Sequence, residues 1–365
     1  MAIRVAVVGL GGIGRNHVQI YADHPKTELV GVCDILPDRA KAASEQWQVP
    51  AFHDLDQMLA DLRPDAVSVA TAGVENGGDH FGPSMAALRA GAHVLCEKPL
   101  SNDLTEAKTL VHEARRLGRC LAVDLNHRFS PATAAAKSRQ DGGDLGQLLF
   151  VRTYLWIGNR KESAPYFHLR ALHSHSVDVM QYFGGPVSEV QAMFARGPRR
   201  QIWSNAVINL RFTGGALGQL LGSYDMGGTQ DIEQTLLAGT GGELLISNAT
   251  CDLTWRPHRG AEEVHIRHVG GQTSFGETMG RRLGRWLDQL AADADPREIE
   301  GSGLEALRAQ AVVEAAIRSH ETGGCAGAHR GCAGGCAGGL NRPLIGLRGR
   351  RSGTDWKGEK RASGL

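Results

Sequence analysis

The sequence predicts an α/β fold in two halves: a doubly wound parallel sheet, then an α+β half with an open, mainly antiparallel sheet. In the first half, apolar runs at 5–8, 29–32, 66–70, 93–96 and 120–123 alternate with helical patterns. Strands that are apolar on both faces and separated by helices are typical of a parallel sheet covered on both sides. After about residue 125 the strands become longer and alternate apolar with polar side chains.

One helix of the first half is especially clear. Asp103 is a suitable N-cap, Glu106 follows three residues later, and apolar residues recur at helical spacing from Leu104 to Ala114. A capping residue, an acid at the third helical position and this spacing together predict an amphipathic helix.

The second half shows the period-two pattern of a sheet with one covered face. Ala206, Ile208 and Leu210 point to one side, whereas Asn209 and Arg211 point to the other. Further strands are predicted at 148–156, 189–194, 217–224 and 242–246, and helices near 275–292 and 304–320 are expected to close this half. We therefore predict domains at 1–124 and 125–322, followed by a Gly-, Ala-, Arg- and Cys-rich tail at 323–365 that is too poor in large apolar side chains to order itself.

Composition excludes several classes of partner. With 40 basic and 39 acidic residues the net charge is +1, so no field favours nucleic acid. No apolar stretch approaches the roughly 18 residues of a membrane span, and no secretion signal precedes the first strand, so we expect a cytoplasmic protein. Cys33, Cys96, Cys120 and Cys251 are predicted to be buried free thiols. Cys325, Cys332 and Cys336 lack the paired spacing of a zinc site, and we predict no metal.

A glycine loop joins the first strand to the first helix. Gly9, Gly11 and Gly14 form the G-x-G-x-x-G pattern, with Gly12 and Ile13 inside it. The first glycine permits a tight turn, the second lets backbone N–H groups approach a pyrophosphate, and the third allows close helix–strand packing.

The end of the second strand carries an acidic residue at the spacing expected for ribose binding. Asp34 lies twenty positions beyond Gly14, where a carboxylate binds an adenosine ribose and repels a 2′-phosphate. Arg39 is the nearby cation that could oppose this repulsion. NAD is therefore the predicted cofactor, with NADP second.

The strand at 93–96 ends in Glu97-Lys98-Pro99. Ligands of open α/β sheets bind at this carboxyl edge, and proline holds the preceding residue in an extended or turn geometry. Lys98 is therefore a candidate catalytic residue.

These motifs together resemble the glucose-fructose oxidoreductase/inositol dehydrogenase (Gfo/Idh/MocA) family. The resemblance rests on the glycine loop, Thr71 and His80, Glu97-Lys98-Pro99 and Asn126-His127-Arg128-Phe129, and it extends to about residue 320. It implies a Rossmann domain, a second domain whose sheet packs in dimers or tetramers, and hydride transfer between nicotinamide and a secondary alcohol or ketone of a sugar, cyclitol or related polyol. It also implies that Thr71, His80, Glu97, Lys98 and Asn126 contact the cofactor.

The family's second-domain motif, Asp-x3-His-x2-Asp, corresponds here to Ala171, His175 and Asp178. A lysine near pKa 10.4 must drop by about three units to act as a base at neutral pH, whereas histidine near about 6.5 needs almost no change. We therefore expect His175 to take the hydroxyl proton, Asp178 to orient His175, and Lys98 to stabilise the alkoxide; the reverse assignment of base stays open. Ala171 removes the first acid of the motif and puts inositol-type specificity in doubt.

The remaining candidates are expected to contact substrate, and they share polar side chains near the two motifs: Arg128, Trp156, His168, Arg170 and His173, with Asn159 beside them. Two alternatives stay open. One is an NAD-dependent glycosidase that oxidises its substrate transiently, and the other is a non-catalytic NAD-binding sensor. Substrate identity, direction and oligomer size are not fixed by the sequence.

Overall fold

The computed structural model describes residues 2–227, 232–259 and 262–323, and the backbone of 327–328. Buried apolar runs form a first sheet whose strands are β1 (Ile3–Val8), β2 (Thr27–Cys33), β3 (Ala51–Phe52), β4 (Ala66–Val69), β5 (His93–Cys96) and β6 (Leu121–Val123). All pairs are parallel, in the order β3-β2-β1-β4-β5-β6. This order reverses direction at β1, which creates a crevice at the carboxyl ends of β1 and β4.

The helices that connect these strands are α1 (Gly12–Asp23), α2 (Pro37–Trp47), α3 (Leu55–Leu62), α4 (Phe81–Arg89) and α5 (Leu104–Leu117). Asp103 caps α5 as predicted, because its side chain accepts a hydrogen bond from the N–H of Thr105 at 2.6 Å. Glu106 does not complete a capping box; it accepts the hydroxyl of Ser101 instead. One orphan N–H of the helix is thus satisfied by the side chain of Asp103.

The second half begins with α6 (Pro131–Asp141) and contains a second sheet. Its strands are β7 (Leu148–Trp156), β8 (Val187–Ala195), β9 (Asn205–Phe212), β10 (Leu217–Ser223), β11 (Ile232–Gly239), β12 (Gly242–Ser247), β13 (Asp252–Pro257), β14 (Val264–Ile266) and β15 (Gly327–Ala328). Their order is β14-β13-β12-β11-β7-β10-β9-β8-β15, with β7 and β10 parallel and the other pairs antiparallel. The predicted open, mainly antiparallel sheet is confirmed.

Three long helices complete the fold: α7 (Phe167–Gly184), α8 (Glu277–Ala291) and α9 (Gly303–Glu321). From the sequence we expected helix α8 to close the second half. The structure places it elsewhere. Leu283, Trp286 and Leu287 pack with Val5 and Tyr21 in the core of the first half. The apolar face of α8 is therefore covered by the first sheet and α1.

Helix α9 belongs to both cores, since Leu307 packs beneath the first sheet and Val312 beneath the second. The domain boundary at residue 124 stays a prediction. Beyond Gly323 the tail lies outside the described residues, apart from the backbone of 327–328, and so do the predictions of its disorder and of Cys325, Cys332 and Cys336.

Strands β3, β11, β13, β14 and β15 are additional to those predicted from the sequence. Strand β11 was hidden because Glu233 and Thr235 lie on its buried side, which breaks the alternation of apolar and polar residues. Cys33, Cys96, Cys120 and Cys251 are buried free thiols, as predicted. Among the described helices, none combines the length and apolar character that a bilayer crossing requires.

Candidate active site

The glycine loop has the geometry that a dinucleotide phosphate requires. Gly9 has φ +89°, and a Cβ there would lie 2.5 Å from the backbone nitrogen of Thr71. A Cβ on Gly14 would lie 1.7 Å from the carbonyl oxygen of Gly9. Gly11 is the N-cap of α1, so the first N–H groups of that helix open onto the loop. The loop therefore fits a pyrophosphate for the reasons given by the sequence pattern.

A cavity of about 810 Å³ opens beside this loop, at the carboxyl ends of β1, β2 and β4. This volume is within the range of cofactor sites. Among the predicted cofactor residues, those lining the cavity are Gly9, Gly11, Gly12, Ile13, Asp34 and Thr71. Further lining residues that the sequence analysis did not assign include His53, Asn76 and Lys161.

Asp34 is held rigidly at the ribose end of this cavity. Its carboxylate accepts hydrogen bonds from the N–H groups of Leu10, at 2.7 Å, and Leu36, at 2.9 Å. The guanidinium of Arg39 also lines the cavity and lies 4.0 Å from the Asp34 carboxylate. A carboxylate has lone pairs to spare beyond these two bonds, so Asp34 can still accept ribose hydroxyls.

Two other predicted cofactor residues are engaged by the protein itself. The ring nitrogens of His80 lie 2.6 Å from the carbonyl oxygen of Pro99 and 2.9 Å from that of Thr71. His80 therefore ties the segment after β4 to the segment after β5. Asn126 donates to the hydroxyl of Thr278 at 2.8 Å. Both side chains thus bind other parts of the protein, and their contact with the cofactor stays a prediction.

Glu97 belongs to a buried charged cluster. His17 Nε2 lies 3.4 Å from the Glu97 carboxylate and 3.6 Å from that of Asp124. Burial lowers the pKa of His17, but hydrogen bonds and charge from Asp124 and Glu97 outweigh burial and raise the pKa to about 9. Three atoms of metal-ligand type thus lie within 4.8 Å of one another. A protonated imidazole between two carboxylates accounts for this cluster, because imidazolium has no lone pair for a metal.

Lys98 reaches from the end of β5 to the second half. Its Nζ donates a hydrogen bond to the carbonyl oxygen of Ala171 in α7, at 2.9 Å. His175 lies one helical turn after Ala171. The structure therefore brings the lysine and the histidine of the two predicted motifs to one region.

His175 is buried and has an unusual set of neighbours. Its ring stacks on that of His127, with centroids 3.9 Å apart and 19° between planes. Burial lowers the pKa of His175 well below its ordinary value, and the charges of His127, Lys98 and His173 lower it further. His175 Nδ1 has no hydrogen-bond partner among the described residues. A neutral imidazole with a free nitrogen suits a proton acceptor.

The expected contact between Asp178 and His175 is wrong. Asp178 forms an ion pair with Arg128 at 3.1 Å instead. Burial raises the pKa of Asp178 to about 6, although Arg128 lowers it. Arg128 is also bound by both carboxylate oxygens of Glu305, at 3.0 and 2.8 Å. A buried arginine must satisfy its charge, and Arg128 does so with these two acids. Its contact with substrate stays a prediction.

Three side chains on α7 that were predicted to contact substrate have partners within the protein, and their contact with substrate stays a prediction. His168 and His173 lie with their Nε2 atoms 2.9 Å apart, and both are buried. Burial lowers the pKa of His168 to about 3 and that of His173 well below its usual range. Arg170 binds Glu314 at 2.7 and 3.0 Å, so its charge is matched within the protein. The polar groups of these three side chains are thus bound to partners within the protein.

Trp156 lies on the face of the second sheet opposite to α7, and its contact with substrate stays a prediction. It contacts Tyr154 at 5.4 Å between ring centroids, on the same face of β7. Leu155, on the opposite face, packs against Phe167 and Leu172 of α7. Because successive side chains alternate, Trp156 points away from α7.

Sequence reasoning missed a second buried pair. His127 Nδ1 donates to the Glu233 carboxylate at 2.7 Å, and Phe275 packs edge-on against His127 at 4.7 Å. His127 had a signal, since it lies inside the Asn126-His127-Arg128-Phe129 motif. Glu233 had none, because 106 positions separate it from His127 in the chain.

Two family models match the chain. Residues 3–125 match the model described as "Oxidoreductase family, NAD-binding Rossmann fold", and residues 133–245 match the "GFO/IDH/MocA C-terminal domain". The matches include the glycine loop, Lys98 and His175. Both halves of the fold are thus accounted for by one family.

Similar proteins agree with these matches. The chain is 34% identical over 148 residues to D-glucoside 3-dehydrogenase of Escherichia coli K12, covering 40% of this chain and 41% of that one. It is 28% identical over 189 residues to inositol 2-dehydrogenase of Salmonella typhimurium LT2, covering 50% and 54%. The chain thus spans about half the length of such relatives.

The same fold occurs in a levoglucosan dehydrogenase solved with NADH and levoglucosan. That structure matches with a TM-score of 0.81 and 19% identity over 91% of this chain and 100% of that one. At this identity the likeness concerns the fold alone. Together with the two family models, it leads to one conclusion: this chain belongs to the Gfo/Idh/MocA family of oxidoreductases.

Proposed function

We propose that this protein is an NAD(P)-dependent dehydrogenase that acts on a secondary alcohol, or the corresponding ketone, of a sugar, cyclitol or related polyol. The observation that carries the proposal is the hydrogen bond between Lys98 Nζ and Ala171, one turn before His175. It supports a site in which a cation from the first half and a neutral imidazole from the second act on one hydroxyl group.

NAD is the proposed cofactor, with NADP second. The glycine loop and the start of α1 would hold the pyrophosphate, and Asp34 would bind the adenosine ribose. Asp34 lies at the edge of a cavity of about 810 Å³, which supports this assignment. Arg39 beside Asp34 is the group through which a 2′-phosphate could be tolerated.

The proposed chemistry divides between two side chains. When bound, the nicotinamide accepts the hydride from the carbinol carbon. His175 takes the hydroxyl proton, because its low pKa keeps the imidazole unprotonated at neutral pH. Lys98 stabilises the negative charge that develops on the substrate oxygen. The substrate would thus lose a hydride from its carbinol carbon and the hydroxyl proton, which His175 takes, leaving a ketone.

The substrate class rests on the similar proteins. D-glucoside 3-dehydrogenase and inositol 2-dehydrogenase are named for reactions at ring hydroxyl groups. A neutral ring polyol also suits a site whose arginines are already paired: Arg128 with Asp178 and Glu305, and Arg170 with Glu314.

Reduced nicotinamide formed from NAD across a panel of glucosides, free sugars and inositols tests the proposal. We expect reduction with at least one ring polyol and its loss in Lys98→Met. Turnover of a nitrophenyl glycoside without net cofactor reduction would instead identify a glycosidase. Tight NAD binding without exchange of any substrate C–H hydrogen would identify a sensor.

We further propose that the protein is a homo-oligomer that buries the outer face of the second sheet. Phe150, Met193 and Leu217 lie on this face, with 52%, 62% and 41% of their surface exposed. Phe150 and Leu217 are paired across β7 and β10. Apolar side chains this exposed on one face of a sheet favour a protein interface. The cytoplasmic location expected from the sequence stays a prediction.

A further inference from the structure

Two histidine rings from different parts of the chain stack face to face. His127 lies in the short 3-10 helix Asn126–Phe129 that follows β6, and His175 lies on α7. Their ring centroids are 3.9 Å apart and the planes differ by 19°. The orientation of the His175 ring is thus set, at least on one face, by His127.

His127 is itself fixed from several directions. Glu233 of β11 accepts the Nδ1 proton at 2.7 Å, and both side chains are about 5% exposed. Phe275 packs edge-on against the ring, with centroids 4.7 Å apart and 75° between planes. A charge-assisted hydrogen bond in a buried setting is short and strongly directional. The His127 ring is therefore anchored at its polar edge by Glu233.

His175 has no comparable polar anchor of its own. Its Nδ1 lacks a hydrogen-bond partner among the described residues, and Asp178 is paired with Arg128. In histidine sites a carboxylate usually fixes the ring and its tautomer. Here the carboxylate of Glu233 binds His127, the ring stacked on His175, and not His175 itself.

The charges around His175 come from several elements. Lys98 faces it from the end of β5, His127 from the short helix after β6, and His173 from α7 itself, while Glu233 of β11 is hydrogen-bonded to His127. The positive charge of Lys98 opposes a further proton on His175. Loss of His127 would free the Glu233 carboxylate from its hydrogen bond, and a free carboxylate nearby would favour that proton.

We propose that the His127–Glu233 pair is the positioning unit of His175: the stacked His127 ring orients the His175 imidazole, and the hydrogen bond from His127 occupies the Glu233 carboxylate, which would otherwise be free to attract a proton to His175. That His175 then serves as the proton acceptor rests on the proposed function. The positioning itself does not, and it can be measured without turnover.

Histidine NMR of the full-length chain with NAD added tests the positioning directly. The resonances of His127 and His175 are assigned by single replacement. We expect a downfield, exchange-protected Nδ1 proton from His127 and no titration of His175 across neutral pH. In His127→Phe the ring stack is kept but the hydrogen bond to Glu233 is lost, so the freed carboxylate should raise the His175 midpoint by about one pH unit or more. The double variant His127→Phe/Glu233→Gln should reverse that rise.

Glu233 variants provide a second test that does not depend on the folding of His127→Phe. Glu233→Ala removes the anchor, so kcat should fall by about tenfold or more with NAD affinity unchanged. Glu233→Gln keeps an oxygen that accepts the His127 proton, so it should restore kcat to within about threefold of the original value. The downfield proton should disappear in Glu233→Ala and move upfield in Glu233→Gln.

Asp178→Asn distinguishes this proposal from the contact that the sequence suggests. We expect it to leave the His175 titration unchanged. The proposal is overturned if His175 titrates identically with and without His127, or if Asp178→Asn moves its midpoint and His127→Phe does not. If the NMR results hold while no polyol is oxidised, the proposed function fails and the positioning stands.

Discussion

The Nζ of Lys98 donates a hydrogen bond to the carbonyl oxygen of Ala171 at 2.9 Å, and this bond joins the end of β5 to α7. It crosses from the half that carries the glycine loop to the half that carries His175. The residue that receives the bond through its backbone is also the one that lacks the family's carboxylate. Lys98 therefore holds its place without an acid at position 171.

Removing the Lys98 charge should abolish oxidation without abolishing cofactor binding. In Lys98→Met we expect kcat/KM to fall by at least about 100-fold, because the alkoxide loses its stabilising cation. The Kd for NAD should change little, since Lys98 is not among the residues that line the cavity proposed for the pyrophosphate and the ribose. Steady-state kinetics and isothermal calorimetry measure the two quantities. Lys108→Met, on the exposed face of α5, is the matched control and should behave like the parent protein.

Asp34 should determine the preference for NAD over NADP. Asp34→Ala removes the ribose acceptor and the group that repels a 2′-phosphate, and it leaves Arg39 free to bind that phosphate. The ratio of kcat/KM for NAD to that for NADP should therefore fall by at least about tenfold. The same substitution at exposed Asp38 of α2 should leave the ratio unchanged. An unaltered ratio in Asp34→Ala would show that the ribose is bound elsewhere.

Loss of the proton from His17 should make the folded protein less stable at alkaline pH. Burial lowers the pKa of His17, but Asp124 and Glu97 raise it to about 9, above its unfolded value near 6.5. The folded state then holds the proton more tightly, so this stabilisation is fully present below pH 6.5 and is lost as the pH rises through 9. The loss should amount to about 3 kcal/mol in the free energy of unfolding.

Urea denaturation at pH 6 and at pH 9.5 measures this effect. In His17→Gln the free energy of unfolding should depend less on pH in this window. The same substitution at His112, an exposed residue of α5, should leave the dependence unchanged. A slope that persists in His17→Gln would assign the effect to another group.

Arg128 should act on stability through buried Asp178. In Arg128→Met the Asp178 carboxylate is left buried without its partner, and we expect a cost of about 3–5 kcal/mol. The double variant Arg128→Met/Asp178→Leu should recover part of this loss, because the buried carboxylate is removed together with its partner, while Glu305, which loses the same guanidinium, is partly exposed to solvent. Arg116→Met, which breaks an exposed ion pair with Glu113, should have little effect. Equal unfolding free energies for the single and double variants would contradict the pairing.

Much of the first half could be predicted, because its candidate site residues lie in short motifs whose geometry is set by neighbouring residues in the chain. Gly9 and Gly14 are required by a positive φ and by a backbone contact, so a short motif reports them directly. Lys98 follows a buried strand immediately, and the strand's end fixes its place at the crevice.

The partners in the second half could not be predicted because they come from distant parts of the chain. Glu305 lies 177 positions from Arg128, and Glu233 lies 106 positions from His127. Asp178 was assigned to His175 from the family motif and its position one turn along the helix, but a buried guanidinium competed for its carboxylate. Helical spacing gives neighbours on one face of α7, whereas tertiary packing decides which neighbour is bound.

Deuterium transfer tests the central claim, that this protein moves a hydride from a ring carbinol to nicotinamide. The protein is incubated with NAD and with D-glucose, a methyl glucoside or myo-inositol deuterated at the carbinol carbons, and the cofactor is analysed by mass spectrometry. We predict deuterated NADH from at least one of these polyols and none in Lys98→Met. NAD that binds but stays free of deuterium with every polyol would contradict the claim.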